Sequence, residues 1–400
     1  MLGSFAVLAW ALLFALPASA WENDLAEVTI SESGGLSDRT LAALDTMSVV
    51  LGVEPTVMQS GTIRMLAVSR GDATVQSFAP GFAVPMSFTA VDPVGSAPLL
   101  GLDISGALAR GLVMSEATAA LRGAQPGDEV TLEAWNGTIH TFPISAVVPD
   151  GAIGWTELLF GMDVATTLGI DRPSRAVMWG VNTTLVDLLT SAVLGDAPVR
   201  VSGPGSEREP FMDWVLPLVQ VKQRFGEFSF AETNTDSIET DDVWFEANIV
   251  TVVLPRLGQF RCHRLVMPYI EGALAELEAS GLADQVDSED FQLAGGCYNA
   301  RLARGGDLDR GFALSRHSWG IAIDFNPSTN GFGAETTLSE HFGNVLRDWG
   351  FAWGAGWRIP DGMHFEWHGE PVDRDRSDCA ARLALSASPS EFGEPARTCS

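Results

Sequence analysis

The chain has 400 residues, 46% of them hydrophobic, and its 51 acidic residues outnumber its 24 lysines and arginines, which leaves a formal net charge of −27. This length allows more than one hydrophobic core, and the apolar content excludes collagen, a coiled coil and a disordered chain. A surface this acidic repels nucleic acids and anionic lipids, so neither is expected as a partner.

The N-terminus has the composition of a secretory signal peptide. Residues 1–20 contain no charged side chain, carry an apolar run from Phe5 to Leu16, and end in Ala18-Ser19-Ala20. The run is short for a bilayer span, and two alanines separated by one residue are the usual cleavage pattern. Because no lysine or arginine precedes the run, an uncleaved anchor remains the alternative. We expect an exported protein, periplasmic or extracellular, that keeps no stable membrane span after cleavage.

Residues 21–200 alternate between strand-like and helix-like patterns, which predicts a separate N-terminal accessory domain of mixed α+β type. Its one histidine, His140, lies in a strand-like run and is expected to be structural. Residues 201–212 begin with small, polar and helix-breaking residues and are predicted to be a linker. An unidentified protein is the partner expected for this domain. The predicted strands are residues 62–69, 128–135, 138–148 and 174–182, and the predicted helices are residues 115–122 and 184–194.

All four cysteines lie beyond residue 260 and fit an exported protein. Four cysteines allow three pairings, and proximity favours Cys262 with Cys297 and Cys379 with Cys399. The first pair would contribute roughly 3–4 kcal/mol on the chain-entropy description of loop closure. The second would stabilise a polar C-terminal tail, residues 371–400.

Two amphipathic helices are predicted beyond the linker. The first begins at Pro268, carries an apolar stripe at helical spacing and ends at Gly281. The second follows Thr337-Leu338-Ser339-Glu340, which has the spacing of a capping box, and ends at Gly350. Both are expected to pack against the core, with His341 of the second partly exposed.

Two strand-like segments carry the side chains suited to chemistry. Over residues 320–325, alternation places Asp324 on a face that otherwise carries only small side chains, which leaves room beside its carboxylate. Over residues 363–368, alternation places Phe365 with its apolar neighbours on the core face and three polar side chains on the opposite face, namely His364, Glu366 and His368.

His317, Asp324 and His364 together supply the three protein ligands of an open metal site. Seven extended residues would separate His317 from Asp324 by more than about 20 Å, so the chain must reverse near Gly320 if they share an ion. Asp361, in a Pro-Asp-Gly turn, is suited to a general base beside the metal. Each histidine also has a structural interpretation, and spacing alone leaves both interpretations open.

Three motifs resemble those of the M15 metallopeptidases, the D-alanyl-D-alanine carboxypeptidase and L-alanyl-D-glutamate endopeptidase family that includes phage endolysins. Ser315 to Asp324 matches the signature S-x-H-x-x-G-x-A-x-D, Asp361 to Glu366 matches D/E-x-x-H, and residues 296–301 are similar to g-x-Y-x-x-R. The resemblance covers about residues 216–369 and is closest to the endolysin-like branch. It implies a peptidase domain over residues 213–370 with a Hedgehog/DD-peptidase-like fold, in which a small antiparallel sheet carries the site and helices pack behind it.

This resemblance implies one Zn²⁺ per chain and gives each motif residue a role. Asp361 would be the general base, with Glu366 as the rival if the turn at Gly362 directs Asp361 away. Arg301 would contact the substrate or the oxyanion, and nearby Arg304, Arg310 and Arg316 add positive charge suited to substrate carboxylates. The metal ligands would be His317, Asp324 and His364, and the neighbours expected around them without binding the metal are Ser315, Glu366 and His368.

The resemblance implies a zinc-dependent hydrolase that cleaves amide bonds in peptidoglycan stem peptides. The cleaved bond would be either D-Ala-D-Ala, as in a carboxypeptidase, or L-Ala-D-Glu, as in an endopeptidase. The alternative is a non-catalytic protein that binds or scaffolds the cell wall and retains a structural zinc site.

Overall fold

The computed structural model describes residues 25–32, 35–93, 96, 104–170, 172–197, 199–204, 215–234, 237–303, 313–357, 359–371 and 376–377. The predicted signal peptide, most of the predicted linker, Arg304, Arg310 and the second cysteine pair lie outside the described residues. Within the described ranges, no helix has both the length and the apolar character needed to cross a membrane.

Contacts between α-carbons divide the chain into two compact units. Of the described residues, the first unit holds 25–78 and 85–204, and the second holds 79–84 together with those from 215 onward. Both units combine helices and strands, and a small antiparallel sheet lies near the C-terminus, as the α+β prediction requires. The domain limits proposed from the sequence remain predictions.

The first unit is built on one ten-stranded sheet. The long strand β2 pairs with β6 as well as with β4, so that β2, β4, β8, β5, β7 and β6 form a closed ring, while β9, β1 and β10 extend the sheet on the other side of β2. Its strands are β1 (Leu25–Glu32), β2 (Thr56–Arg70), β3 (Ala73–Ser77), β4 (Val84–Val91), β5 (Leu112–Ser115), β6 (Glu129–Glu133), β7 (Ile139–Val148), β8 (Leu158–Gly161), β9 (Arg175–Asn182) and β10 (Val199–Ser202).

The helices of the first unit are α1 (Asp38–Leu51), α2 (Ser105–Leu108), α3 (Glu116–Arg122), α4 (Met162–Thr167) and α5 (Thr183–Leu194). Buried apolar residues of α1 and α5 form one core with β1 and β9. All six elements predicted from alternation and helical spacing are present, with His140 in β7. The ring was not predicted, because its closure depends on pairing between strands distant in sequence.

The second unit has five α-helices and seven strands among its described residues. Its helices are α6 (Leu218–Phe225), α7 (Asp242–Asn248), α8 (Met267–Ala279), α9 (Ser288–Ala294) and α10 (Glu340–Asp348). Two hairpins, β11 (Phe230–Asn234) with β12 (Ser237–Thr240) and β13 (Ile249–Leu254) with β14 (Gly258–His263), precede a three-stranded antiparallel sheet. That sheet has the order β15 (Ala322–Asp324), β17 (His364–Trp367) and β16 (Phe351–Trp353).

The two helices predicted for this unit are α8 and α10. Pro268 lies in the first turn of α8, where its missing N–H costs nothing, and Gly281 just beyond the end has a φ of +72°. The capping-box spacing predicts Thr337 as the N-cap of α10, and this was wrong by two residues. The N-cap is Ser339, whose hydroxyl accepts a hydrogen bond from Phe342 N. Thr337 instead donates its hydroxyl and its N–H to the side-chain oxygen of Asn330.

Helix α10 covers one face of the small sheet. Phe342 of this helix lies 5.4 Å, centroid to centroid, from Phe325 and 6.0 Å from Phe365, and Trp353 stacks on Phe365 at 5.4 Å. These rings are fully buried, and each aromatic side chain removes a large apolar area from water. The core face predicted by alternation is therefore the face that packs on the helix, and the opposite face is left for polar side chains.

Candidate metal centre

A tight turn reverses the chain between the first two predicted ligands. Residues Arg316–Trp319 form a 3₁₀ helix, and the hydroxyl of Ser315 caps it by accepting from His317 N at 3.3 Å. Gly320 ends this turn with a φ of +65°, and a Cβ there would lie 2.8 Å from the backbone nitrogen of His263. Glycine is required at this position by both its conformation and its space, and the predicted reversal is present.

Strand pairing brings the third predicted ligand, His364, next to the second, Asp324. Asp324 and His364 are directly opposite each other in the antiparallel pair β15–β17. Side chains of opposed residues leave the same face of a sheet about 5 Å apart, so the register alone makes these two groups neighbours. The backbone of Asp324 also forms a bridge with Gly296, just before Cys297.

The three ligand atoms form a compact triangle. His317 Nε2 lies 3.0 Å from Asp324 Oδ1 and 3.2 Å from His364 Nδ1, and the latter two atoms lie 3.1 Å apart. An ion bound tetrahedrally with bonds of about 2.0 Å holds its ligand atoms about 3.3 Å apart. The donor set and its spacing therefore fit a divalent metal ion, and all three side chains are buried.

Each imidazole is oriented by a hydrogen bond on its other nitrogen. His317 Nδ1 lies 2.8 Å from the carbonyl oxygen of Cys297, which only accepts, so the hydrogen is on Nδ1 and the Nε2 lone pair faces the triangle. In His364 the two nitrogens have exchanged roles. Its Nε2 lies 3.2 Å from Glu366 Oε2, and its Nδ1 faces the triangle. Such outer partners are typical of metal-binding histidines.

The charges of the cluster are strongly coupled. Burial raises the pKa of Asp324, but its hydrogen bonds and charge interactions with His317 and His364 outweigh burial and hold the pKa well below its ordinary value. Burial lowers the pKa of His364, but hydrogen bonds to Asp324 and Glu366 outweigh burial and raise the pKa to about 10. Without metal, His364 thus keeps a proton that a metal ion would have to displace.

Asp361 lies beside this cluster. Its backbone N–H donates to Gly354 at 2.9 Å, and its carbonyl accepts from His364 N at 3.1 Å, which fixes the turn ahead of β17. Burial raises its pKa, and the charge of Asp324 adds to this, while those of His364, His317 and Arg301 oppose it. Its Oδ1 is buried and has no hydrogen-bond partner among the residues that the structure describes.

Arg301 and Trp357 complete the surroundings. The backbone of Arg301 is joined to the turn that carries His317, since Ser318 Oγ donates to Arg301 O at 2.9 Å and accepts from Arg301 N at 3.0 Å. Its guanidinium is near enough to act on the pKa of Asp361. The half-buried indole of Trp357 lies 5.3 Å from the His364 ring and was not predicted, although the Gly-Ala-Gly run before it marked a tight loop.

The other residues predicted for the site, Glu366, Arg316 and His368, are not part of the triangle. Glu366 contacts the outer nitrogen of His364, which argues against it as the base, and Arg316 pairs with Glu366, its Nε lying 3.8 Å from Oε1. His368 lies beyond the end of β17, outside the triangle, where it lines a cavity of about 340 Å³ with Gln220, Gln223 and Arg224. The structure brings together His317, Asp324, His364, Asp361 and Arg301.

The predicted disulfide between Cys262 and Cys297 is present, closing a loop with a sequence separation of 35. It joins β14 to the segment whose carbonyl orients His317. The contact between Cys297 O and His317 could not be predicted from the sequence, because every residue type has a backbone carbonyl.

Residues 309–367 match a family model of the M15 peptidases described as D-alanyl-D-alanine carboxypeptidase. The matched segment contains all three residues of the triangle and Asp361, so the resemblance indicated by the motifs is confirmed there. A comparison with curated proteins finds no match to the chain.

Proposed function

Because residues 309–367 belong to the M15 family of metal-dependent peptidases, we propose that the protein is an exported, zinc-dependent peptidase acting on peptidoglycan stem peptides. The observation that carries this proposal is the convergence of His317, Asp324 and His364 beside the unpartnered carboxylate oxygen of Asp361. The proposed domain fold is of the Hedgehog/DD-peptidase type.

The donor count favours catalysis over a purely structural metal. Structural zinc sites are closed by four protein ligands, whereas catalytic sites use three and keep one position open. Three groups converge here among the described residues. Asp361 adds a carboxylate whose pKa is raised by burial, and a raised pKa makes it a better proton acceptor than an ordinary aspartate near neutral pH.

The positions of the side chains support the roles that we propose for them. A bound zinc ion supplies a Lewis acid for the scissile carbonyl and lowers the pKa of water in the site. Oδ1 of Asp361 takes the proton of the attacking water and later gives it to the leaving amine nitrogen. With a metal ion bound, His317 and His364 would be neutral ligands, each with its one hydrogen on the outer nitrogen, where it is donated to Cys297 O or to Glu366.

The similarity to D-alanyl-D-alanine carboxypeptidases and the charge beside the site support the proposed substrate class. Arg301 places a guanidinium near Asp361, and a guanidinium forms paired hydrogen bonds with a carboxylate. Stem peptides carry several carboxylates, so Arg301 is the residue we assign to substrate binding. The proposed scissile bond is D-Ala-D-Ala or L-Ala-D-Glu.

Two features support export. Residues 18–20 have the small-residue cleavage pattern, and the Cys262–Cys297 disulfide is typical of oxidising compartments.

Metal content and hydrolysis should be measured on the same purified protein, by plasma mass spectrometry and by mass spectrometry of cleaved stem peptides. We expect one zinc per chain, cleavage that stops with a chelator and returns with zinc, and products that identify the bond. His317→Ala should lose both metal and cleavage, whereas the exposed His341→Ala on α10 should keep both. Zinc without any cleavage would favour the wall-binding alternative, and a metal-free protein that still cleaves would refute the proposal.

A further inference from the structure

Glu366 is a buried carboxylate in the middle of the small sheet. It lies on the central strand β17 and is 3% exposed. Its partners on both neighbouring strands are alanines, Ala322 on β15 and Ala352 on β16. The two methyl side chains leave space beside the carboxylate, but a buried charge is costly unless other groups pair with it.

Two groups pair with this carboxylate, one at each oxygen. Oε2 lies 3.2 Å from His364 Nε2, and Oε1 lies 3.8 Å from Arg316 Nε. The Arg316 side chain is 17% exposed, and its Nη2 donates to the carbonyl oxygen of Leu216 at 2.6 Å. Because Arg316 directly precedes His317, this ion pair joins the turn of one proposed ligand to the strand of another.

The role open to Glu366 depends on which nitrogen of the His364 ring it contacts. Nε2 of His364 faces away from the triangle, and Nδ1 faces His317 and Asp324. A neutral imidazole carries one hydrogen, and either nitrogen can hold it. A carboxylate accepts hydrogen bonds only, so Glu366 keeps the hydrogen on Nε2 and leaves the Nδ1 lone pair for a metal ion.

We propose that Glu366, held in place by Arg316, is a positioning residue that fixes the tautomer and orientation of His364 for metal binding. This inference rests on the proposed function. It assigns Glu366 to the metal affinity of the site and removes it from the proton transfers, which remain with Asp361. Outer carboxylates of this kind typically change metal affinity by about 10–100-fold when removed.

Two substitutions and a matched control test the inference. Glu366→Ala removes both the hydrogen bond and the charge, and we expect zinc affinity, measured by competition with a chromophoric chelator, to fall about 10–100-fold. Glu366→Gln keeps an oxygen that can accept from Nε2, so we expect it to restore part of the affinity. Glu340→Gln alters an exposed glutamate of α10 and should bind zinc like the parent.

A spectroscopic measurement separates positioning from folding. The visible absorption of the cobalt-substituted protein reports the ligand geometry, and we expect it to change in Glu366→Ala and to return towards the parent spectrum in Glu366→Gln. Circular dichroism of the metal-free variants checks that each remains folded.

Three results would overturn the inference. Unchanged zinc affinity and cobalt absorption in Glu366→Ala, with the parent binding zinc, would show that Glu366 does not position His364, and the proposed function would stand. Lost hydrolysis with both properties unchanged would place Glu366 in the reaction itself. A parent protein that binds no metal would refute the inference and the proposed function together.

Discussion

Gly354 is the glycine on which the position of Asp361 depends. It follows β16, and its carbonyl accepts from the backbone N–H groups of Asp361 at 2.9 Å and of Trp357 at 3.0 Å. A Cβ added to Gly354 would lie 2.7 Å from Asp361 O and 3.1 Å from Asp361 Cβ. Ordinary contacts begin at 3.4 Å, so in Gly354→Ala the Asp361 turn must move by about 0.7 Å, the difference between 3.4 and 2.7 Å.

A movement of this size is expected to affect catalysis more than metal binding. Misplacement of a reacting group by about 1 Å can cost about 100-fold in rate, so we expect kcat/KM on a stem peptide to fall about 10- to 100-fold. The three atoms nearest the added methyl group belong to Asp361 and Trp357 and not to the triangle, so the zinc content should stay near one per chain. Overpacking should also lower the free energy of unfolding by about 1–3 kcal/mol.

The assay compares Gly354→Ala with Gly369→Ala, a position in the same unit where an added Cβ meets nothing within 4 Å. Initial rates of stem-peptide cleavage are followed by liquid chromatography, with zinc content and thermal unfolding measured on the same samples. A Gly354→Ala protein that cleaves as fast as the control would refute the assignment of Asp361 as a precisely placed base. Loss of zinc in parallel with activity would show that the methyl group acts through the ligands instead.

Three further outcomes are expected. Asp361→Asn should keep zinc and fold but lose about 100- to 10,000-fold in kcat, and a rate near that of the parent would assign the base to another residue. Reduction of Cys262–Cys297 should destabilise the protein by roughly 3–4 kcal/mol and weaken zinc binding, because Cys297 O orients His317; unchanged zinc affinity in a folded, reduced sample would contradict this. In the metal-free protein, the pKa of His364 is raised to about 10 from its ordinary 6.5, so its stabilising contribution is complete below pH 6.5 and is lost as the pH rises towards 10. Urea unfolding across that range should show this loss in the metal-free protein and not in the zinc-loaded one.

The local sequence pattern was sufficient to predict many of the helices and strands and the residue types of the site. Alternation over residues 363–368 correctly placed Phe365 in the core and His364 with Glu366 on the other face, because side chains of a strand alternate whatever the strand packs against. The apolar face of α10 and the reversal of the chain at Gly320 could also be predicted, since each depends on residues a few positions apart. Motif spacing further singled out the three proposed ligands.

Only the tertiary structure decided how these residues act on one another. Asp324 and His364 are 40 positions apart, and the register of β15 against β17 makes them neighbours. The nitrogen that each histidine turns towards the triangle depends on its outer partner. For His317 this is Cys297 O, 20 positions away in the chain, and for His364 it is Glu366, two positions along the same strand. The proposed choice of Asp361 over Glu366 as base likewise depends on the folded chain, in which Glu366 contacts the outer nitrogen of His364 and Asp361 Oδ1 has no hydrogen-bond partner among the described residues. Such contacts depend on backbone geometry and side-chain direction in the folded chain, and neither is encoded by spacing alone.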